Sequence, residues 1–95
     1  MQFTIDSMKT AISASLEKYG VRKAALFGSV VKAEATEKSD IDLLVEFERG
    51  RSLLDLAGLK SELEVLLKRK VDIVTYRSLH PLLRDRILSE QVIIR

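Results

Sequence analysis

Ala24-Ala-Leu-Phe-Gly-Ser-Val-Val-Lys-Ala-Glu-Ala-Thr-Glu-Lys-Ser-Asp-Ile-Asp-Leu-Leu-Val-Glu-Phe47 carries two apolar runs, Ala24 to Phe27 and Ile41 to Val45, around a polar segment. That segment opens on Gly28-Ser29 and closes on Asp40-Ile41-Asp42. Apolar runs this short, bounded by turn residues, read as strands. Alternate side chains of a strand point to opposite faces, so Asp40 and Asp42 share one face and stand side by side.

Two neighbouring carboxylates each raise the cost of ionising the other unless a positive charge lies between them. A divalent cation resolves that conflict. Hard oxygen donors suit magnesium, which keeps several waters and is commonly completed by substrate phosphates. Glycine lets the backbone approach a ligand closely, and exposed amides bind phosphate oxygens, so Gly28-Ser29 suits the phosphate half of such a site. A solitary Asp-x-Asp also serves as a turn former at a strand start, so the pair needs its context to carry weight.

Outward from this stretch, Ile5, Met8, Ile12, Leu16 and Tyr19 recur at helical spacing and predict a helix over residues 6–19, with Asp6 or Ser7 as cap and Gly20 as stop. Val21 to Phe27 is the expected first strand. Val30 to Ala35 is helix-compatible, which would aim a helix N-terminus at bound phosphate, and Thr36 to Ser39 connects to the second strand, Ile41 to Phe47. After the turn at Glu48-Arg-Gly-Arg51, Ser52 is expected to cap a helix to about Lys68, with Leu53, Leu56, Leu59, Leu63 and Leu66 or Leu67 along one face. Gly58 inside it costs about 1 kcal/mol against alanine and suggests a close helix-to-sheet approach. Lys70 to Thr75 is the third strand, with Asp72 facing opposite to Val71 and Ile73. Pro81 opens a last helix to about Glu90, and Val92-Ile93-Ile94 is a short strand or apolar plug.

Helices between strands indicate an α/β (α+β) fold, a small mixed sheet packed by helices. With 95 residues and no linker, residues 1–95 are expected to form one domain, too small to add a substrate domain. Residues 1–48 hold 6 Lys/Arg against 8 Asp/Glu, net −2, while residues 49–95 hold 10 against 6, net +4. Neither half is basic enough for a nucleic-acid surface, and three Phe, two Tyr and no Trp leave little to stack on bases. The apolar runs are far below a membrane span, and the acidic Asp6 near the start argues against a secretory leader. Absence of cysteine excludes disulfides and thiolate metal sites, compatible with the cytoplasm. The single histidine, His80 before Pro81, supports capping rather than a zinc site.

Gly28-Ser29, ten residues, Asp40-x-Asp42 and a third acid, Asp72, in a later apolar run together resemble the DNA polymerase beta-type nucleotidyltransferase superfamily. The short length and Leu43-Leu-Val-Glu-Phe-Glu-Arg-Gly-Arg-Ser-Leu-Leu-Asp-Leu56 look like its minimal nucleotidyltransferase (MNT) family. The resemblance runs from about Leu26 to Ile93 and includes Lys70-Val-Asp-Ile-Val-Thr75 and Leu79-His-Pro-Leu-Leu-Arg-Asp-Arg-Ile87.

This resemblance implies a palm-like fold and a two-metal transfer of AMP from ATP. Asp40, Asp42 and Asp72 would be catalytic and hold two magnesium ions, and Gly28, Ser29, Lys32 and Ser39 would lie at the nucleotide, Ser39 chiefly as a turn residue. Lys32-Ala33 stands where Arg-Gly is common, keeping the charge but losing the bidentate fork. An acid among apolar neighbours is costly to bury, which favours a site role for Asp72; its other reading is an acid on the solvent face of an edge strand. Members of the family commonly stand as antitoxins beside a helical HEPN ribonuclease toxin and modify a tyrosine of it. Two other readings are a non-catalytic antitoxin that neutralises by covering, and small-molecule transfer as in aminoglycoside nucleotidyltransferases. Exposed leucines on the Ser52 helix and the apolar tail suggest a homodimer or hetero-oligomer.

Overall fold

The computed structural model describes residues 5–28 and 40–95. Helix α1 (Ile5–Lys18) buries Met8, Ile12 and Leu16, the i, i+4, i+8 row of its sequence pattern. It has already begun at Ile5, so Asp6 lies in the first turn, where its charge complements the helix dipole, and does not cap it. Gly20 ends the helix at φ +74°, and its carbonyl accepts a 2.8 Å bond from Glu48 N–H.

Strands β1 (Val21–Phe27), β2 (Ile41–Phe47), β3 (Val71–Thr75) and β4 (Val92–Ile93) form one mixed sheet in the order β3-β2-β1-β4. β1 runs antiparallel to β2 and β4, and β2 parallel to β3. The parallel pair is joined by helix α2 (Leu53–Leu67), as the need for a crossover dictates. The C-terminal apolar run forms the short strand its pattern allows. Val92 and Ile93 pair with β1, Ile94 enters the core, and Ala24 exchanges backbone bonds with Ile94 and Arg95 at 2.9–3.2 Å.

Strand alternation divides the core into two. On one face, α1 and α2 bury Ala24, Leu26, Ile41, Leu43, Val45 and Val71 under Met8, Ile12, Leu16, Leu59 and Leu63. The other face holds a smaller cluster of Ala25, Leu44 and Leu79, against which Phe27, Val74, Tyr76 and two residues of helix α3 (Pro81–Glu90), Ile87 and Leu88, pack. The α3 face is therefore thinly covered, which leaves room for a site at its edge.

Ser52 caps α2 as expected. Its hydroxyl accepts from Leu54 N–H at 3.2 Å while Asp55 accepts from Ser52 N–H at 2.9 Å, a reciprocal capping box. The apolar stripe of α2 is narrower than its spacing predicts: Leu59 and Leu63 are buried, Leu53 is 81% exposed, and Leu54 and Val65 project outward. Gly58 meets α1's end rather than the sheet, since a Cβ there would lie 2.8 Å from the Tyr19 ring. His80 caps α3, its Nδ1 accepting from Leu82 N–H at 3.1 Å. Tyr76 is half-buried, donates to Gln91 Oε1 at 2.9 Å and carries Lys23 Nζ 4.9 Å above its ring.

Candidate active site

Three backbone segments converge at one end of the sheet. β1 ends on Phe27-Gly28, β2 begins just after Asp40, and β3 begins at Val71. In the register, Phe27 pairs with Asp42 and Asp42 with Asp72, so these three side chains form a row across β1, β2 and β3. Paired residues of neighbouring strands share a face. By alternation with Leu44 and Val74, that face is the one under α3. Asp72 therefore lies on the same side as Asp42, beside it.

Asp42 is partly buried, and Asp40 and Asp72 are exposed. Asp72 thus sits on the open face of an edge strand, and the burial penalty expected for it does not arise. Burial holds the Asp42 carboxyl above its ordinary range, with further upward pushes from the negative charges of Asp72 and then Asp40. Both neighbouring acids therefore act electrostatically on Asp42. Among the described residues, none of them pairs with a basic side chain.

Gly28 completes this end of the sheet. It holds φ +77°, and a Cβ placed on it would collide with the Asp42 carboxylate. Only glycine brings the chain across so close to that oxygen. Ser29, Lys32 and Ser39, the expected Val30–Ala35 helix and the Thr36–Ser39 connection lie outside the described residues.

Among the described residues, no three His, Asp or Glu side chains are arranged as a ready chelate. Magnesium does not require one, because it is usually held by one or two carboxylates with phosphates and water completing six positions. The carboxylate row, its mutual repulsion and the glycine cradle fit a hard cation with a phosphate ligand.

The polymerase beta nucleotidyltransferase profile matches residues 10–95. The chain belongs to the polymerase beta nucleotidyltransferase family. Its likeness to a solved structure described provisionally as a minimal nucleotidyltransferase places it in the small branch: 45% identity, TM-score 0.81, covering 93% of this chain and 90% of that one. A Methanocaldococcus jannaschii protein provisionally named a protein adenylyltransferase is 54% identical over 88 residues, 93% of this chain and 95% of its own. Protein adenylyltransferase MntA of Thermococcus cleftensis is 43% identical over 91 residues, 95% and 92% of the two chains.

Two more distant structures share the fold of this nucleotidyltransferase. One is a toxin-antitoxin complex with AMP-PNP, at TM-score 0.78 and 22% identity over 92% of this chain and 72% of that one. The other is a tri-AMPylated Shewanella oneidensis HEPN toxin in complex with MNT antitoxin, at TM-score 0.71 and 21% identity over 95% and 71%. No helix among the described residues of the nucleotidyltransferase is long and apolar enough to cross a membrane.

Two features of the site had no local signal in the sequence. Phe27 flanks Asp42 through an antiparallel pairing, and Asp72 meets it through a parallel one, and both depend on register. An open cleft of about 510 Å³ also lies away from the acids, at the opposite ends of the same strands, lined by Arg22, Arg49, Arg51 and Arg77 from three separate segments.

Proposed function

We propose that this nucleotidyltransferase transfers AMP from ATP to a protein hydroxyl, a tyrosine of a HEPN-type toxin, and thereby acts as an antitoxin in the cytoplasm. Residues 1–95 act as one minimal domain in this reading. The observation that carries it is the register pairing of Asp42 with Asp72 beside Gly28. Relatives named for protein adenylylation, matched over nearly their whole length, supply the chemical class. The toxin-antitoxin complexes of the same fold support the kind of partner.

In this account Asp40, Asp42 and Asp72 are the catalytic and metal-holding acids. Two magnesium ions, when bound, supply the positive charge that acidifies the acceptor hydroxyl and neutralises the triphosphate. Asp42, between its two acidic neighbours, gains most from positive charge, since repulsion and burial both oppose its ionisation. Asp72, exposed on the edge strand, is open to the acceptor and orients its hydroxyl or takes its proton. Gly28, with Ser29, Lys32 and Ser39, holds the phosphates. The acceptor oxygen bonds to the α-phosphorus, the α–β phosphoanhydride bond breaks, and pyrophosphate leaves. Positioning and charge neutralisation account for most catalysis in such transfers.

The test is incubation with labelled ATP, magnesium and the product of the adjacent gene. Label on that partner with wild type and none with Asp42→Ala supports the reading. Neutralisation that survives Asp40→Asn with Asp42→Asn would instead identify a partner that acts by covering alone.

A further inference from the structure

We propose that the arginine cleft at the end of the sheet remote from the acids is a second anion site, which takes the diphosphate group of a small soluble molecule. Arg22 comes from the start of β1, Arg49 from the β2–α2 turn and Arg77 from the 3₁₀ turn Tyr76–Ser78 after β3. Folding alone brings these three together.

The β1–β2 register shifts between Val21 and Lys23: Val21 faces Phe47, Lys23 faces Glu46, and Arg22 is the extra residue. A bulge re-aims a side chain, and here the re-aimed side chain lines the cleft. Arg51 is committed elsewhere, to Glu48 at 2.9 and 3.1 Å and Asp55 at 3.4 Å. Among the described residues, Arg22, Arg49 and Arg77 engage no carboxylate. Of the cleft's two acids, Glu48 is held by Arg51, while Glu46 remains as an opposing charge beside Tyr76. Three guanidinium groups are thus left facing a concavity against the one carboxylate of Glu46, a net positive charge.

The volume, about 510 Å³, is that of a small-molecule site and gives three forked donors room to surround paired phosphates. One face of the Tyr76 ring is already covered by Lys23, so the cleft offers poor stacking for a base. That favours recognition of phosphates over a nucleic-acid strand. The acid site lies roughly 15–20 Å away along the strands, and nothing here depends on its chemistry.

The probe is inorganic pyrophosphate without divalent metal, followed by NMR of the arginine Nε–Hε groups. Saturable shifts are expected at Arg22, Arg49 and Arg77 but not at Arg86. Arg22→Gln and Arg77→Gln should each weaken binding about tenfold, the loss of one charged hydrogen-bonded contact. Both residues are exposed, so their variants should keep the wild-type Tm. Asp42→Asn should bind pyrophosphate as wild type does, which separates failure of this site from failure of AMP transfer. Absence of shifts at the three arginines, equal weakening by Arg86→Gln, or sulfate binding as tightly as pyrophosphate, an adventitious ion only, would overturn the proposal. So would binding of a single-stranded oligonucleotide in preference to pyrophosphate.

Discussion

Asp42 and Asp72 are direct register partners across the parallel β2–β3 pair, on the face of the sheet that α3 only partly covers. Two carboxylates so placed destabilise the fold on their own, and a fold that keeps them spends stability on the site. This follows from burial and like-charge repulsion, which together hold the Asp42 carboxyl above its ordinary value of 3.8.

A raised carboxyl pKa means that the folded chain binds the proton more tightly than the unfolded chain. The favourable contribution is present below the unfolded value and is lost as pH rises through the folded one. Asp42→Asn should therefore raise Tm at neutral pH without metal, on the order of 0.5 kcal/mol once solvent screening is allowed for. That advantage should vanish below about pH 4. Asp55 and Glu62 are shifted down, chiefly by bonds to Ser52 and Lys18, and act in the opposite sense in both proteins. The difference between the two thermal-melt profiles against pH isolates Asp42.

Magnesium should reverse the ranking. A cation held by the acids stabilises wild type by about 2.7 kcal/mol at a hundredfold excess over Kd. Thermal melts of Asp42→Asn and Asp72→Asn at the same concentration should move far less.

Gly28→Ala should be harmful twice over. Its φ of +77° strains any side chain, and the new Cβ collides with the Asp42 carboxylate. A loss of about 1–2 kcal/mol is expected by chemical denaturation, and AMP transfer should fall more than stability does.

Packing gives a contrast on a single helix. Leu63 is fully buried, and Leu63→Ala should cost about 2–5 kcal/mol by chemical denaturation. Leu54 is 83% exposed, and Leu54→Ala should stay within about 0.5 kcal/mol. Ser52→Ala, which breaks the capping box, should lie between them at about 1 kcal/mol.

The elements were largely legible because their signals are local. A short apolar run between turn residues set β2, Ser52 and Gly20 set helix ends, and the opposite facing of Val71 and Asp72 followed from a period of two. Adjacency was not legible, since nothing near Asp72 encodes a parallel pairing reached through α2. Gly58 was misread for a similar reason: its close neighbour, Tyr19, lies beyond the end of another helix. Leu53 fits the spacing of the apolar stripe but sits at the first position of α2, past the sheet's cover, so periodicity overstated its burial. The bulge at Arg22 changes no residue type and left no mark in the pattern.

The most direct measurement is the intact mass of the partner protein after incubation with ATP, magnesium and either wild type or Asp72→Asn. Whole-adenylate mass increments are expected with wild type, and loss of most of them with the variant although it remains folded by its own thermal melt. Equal modification by both, or no adenylate with either, would contradict it.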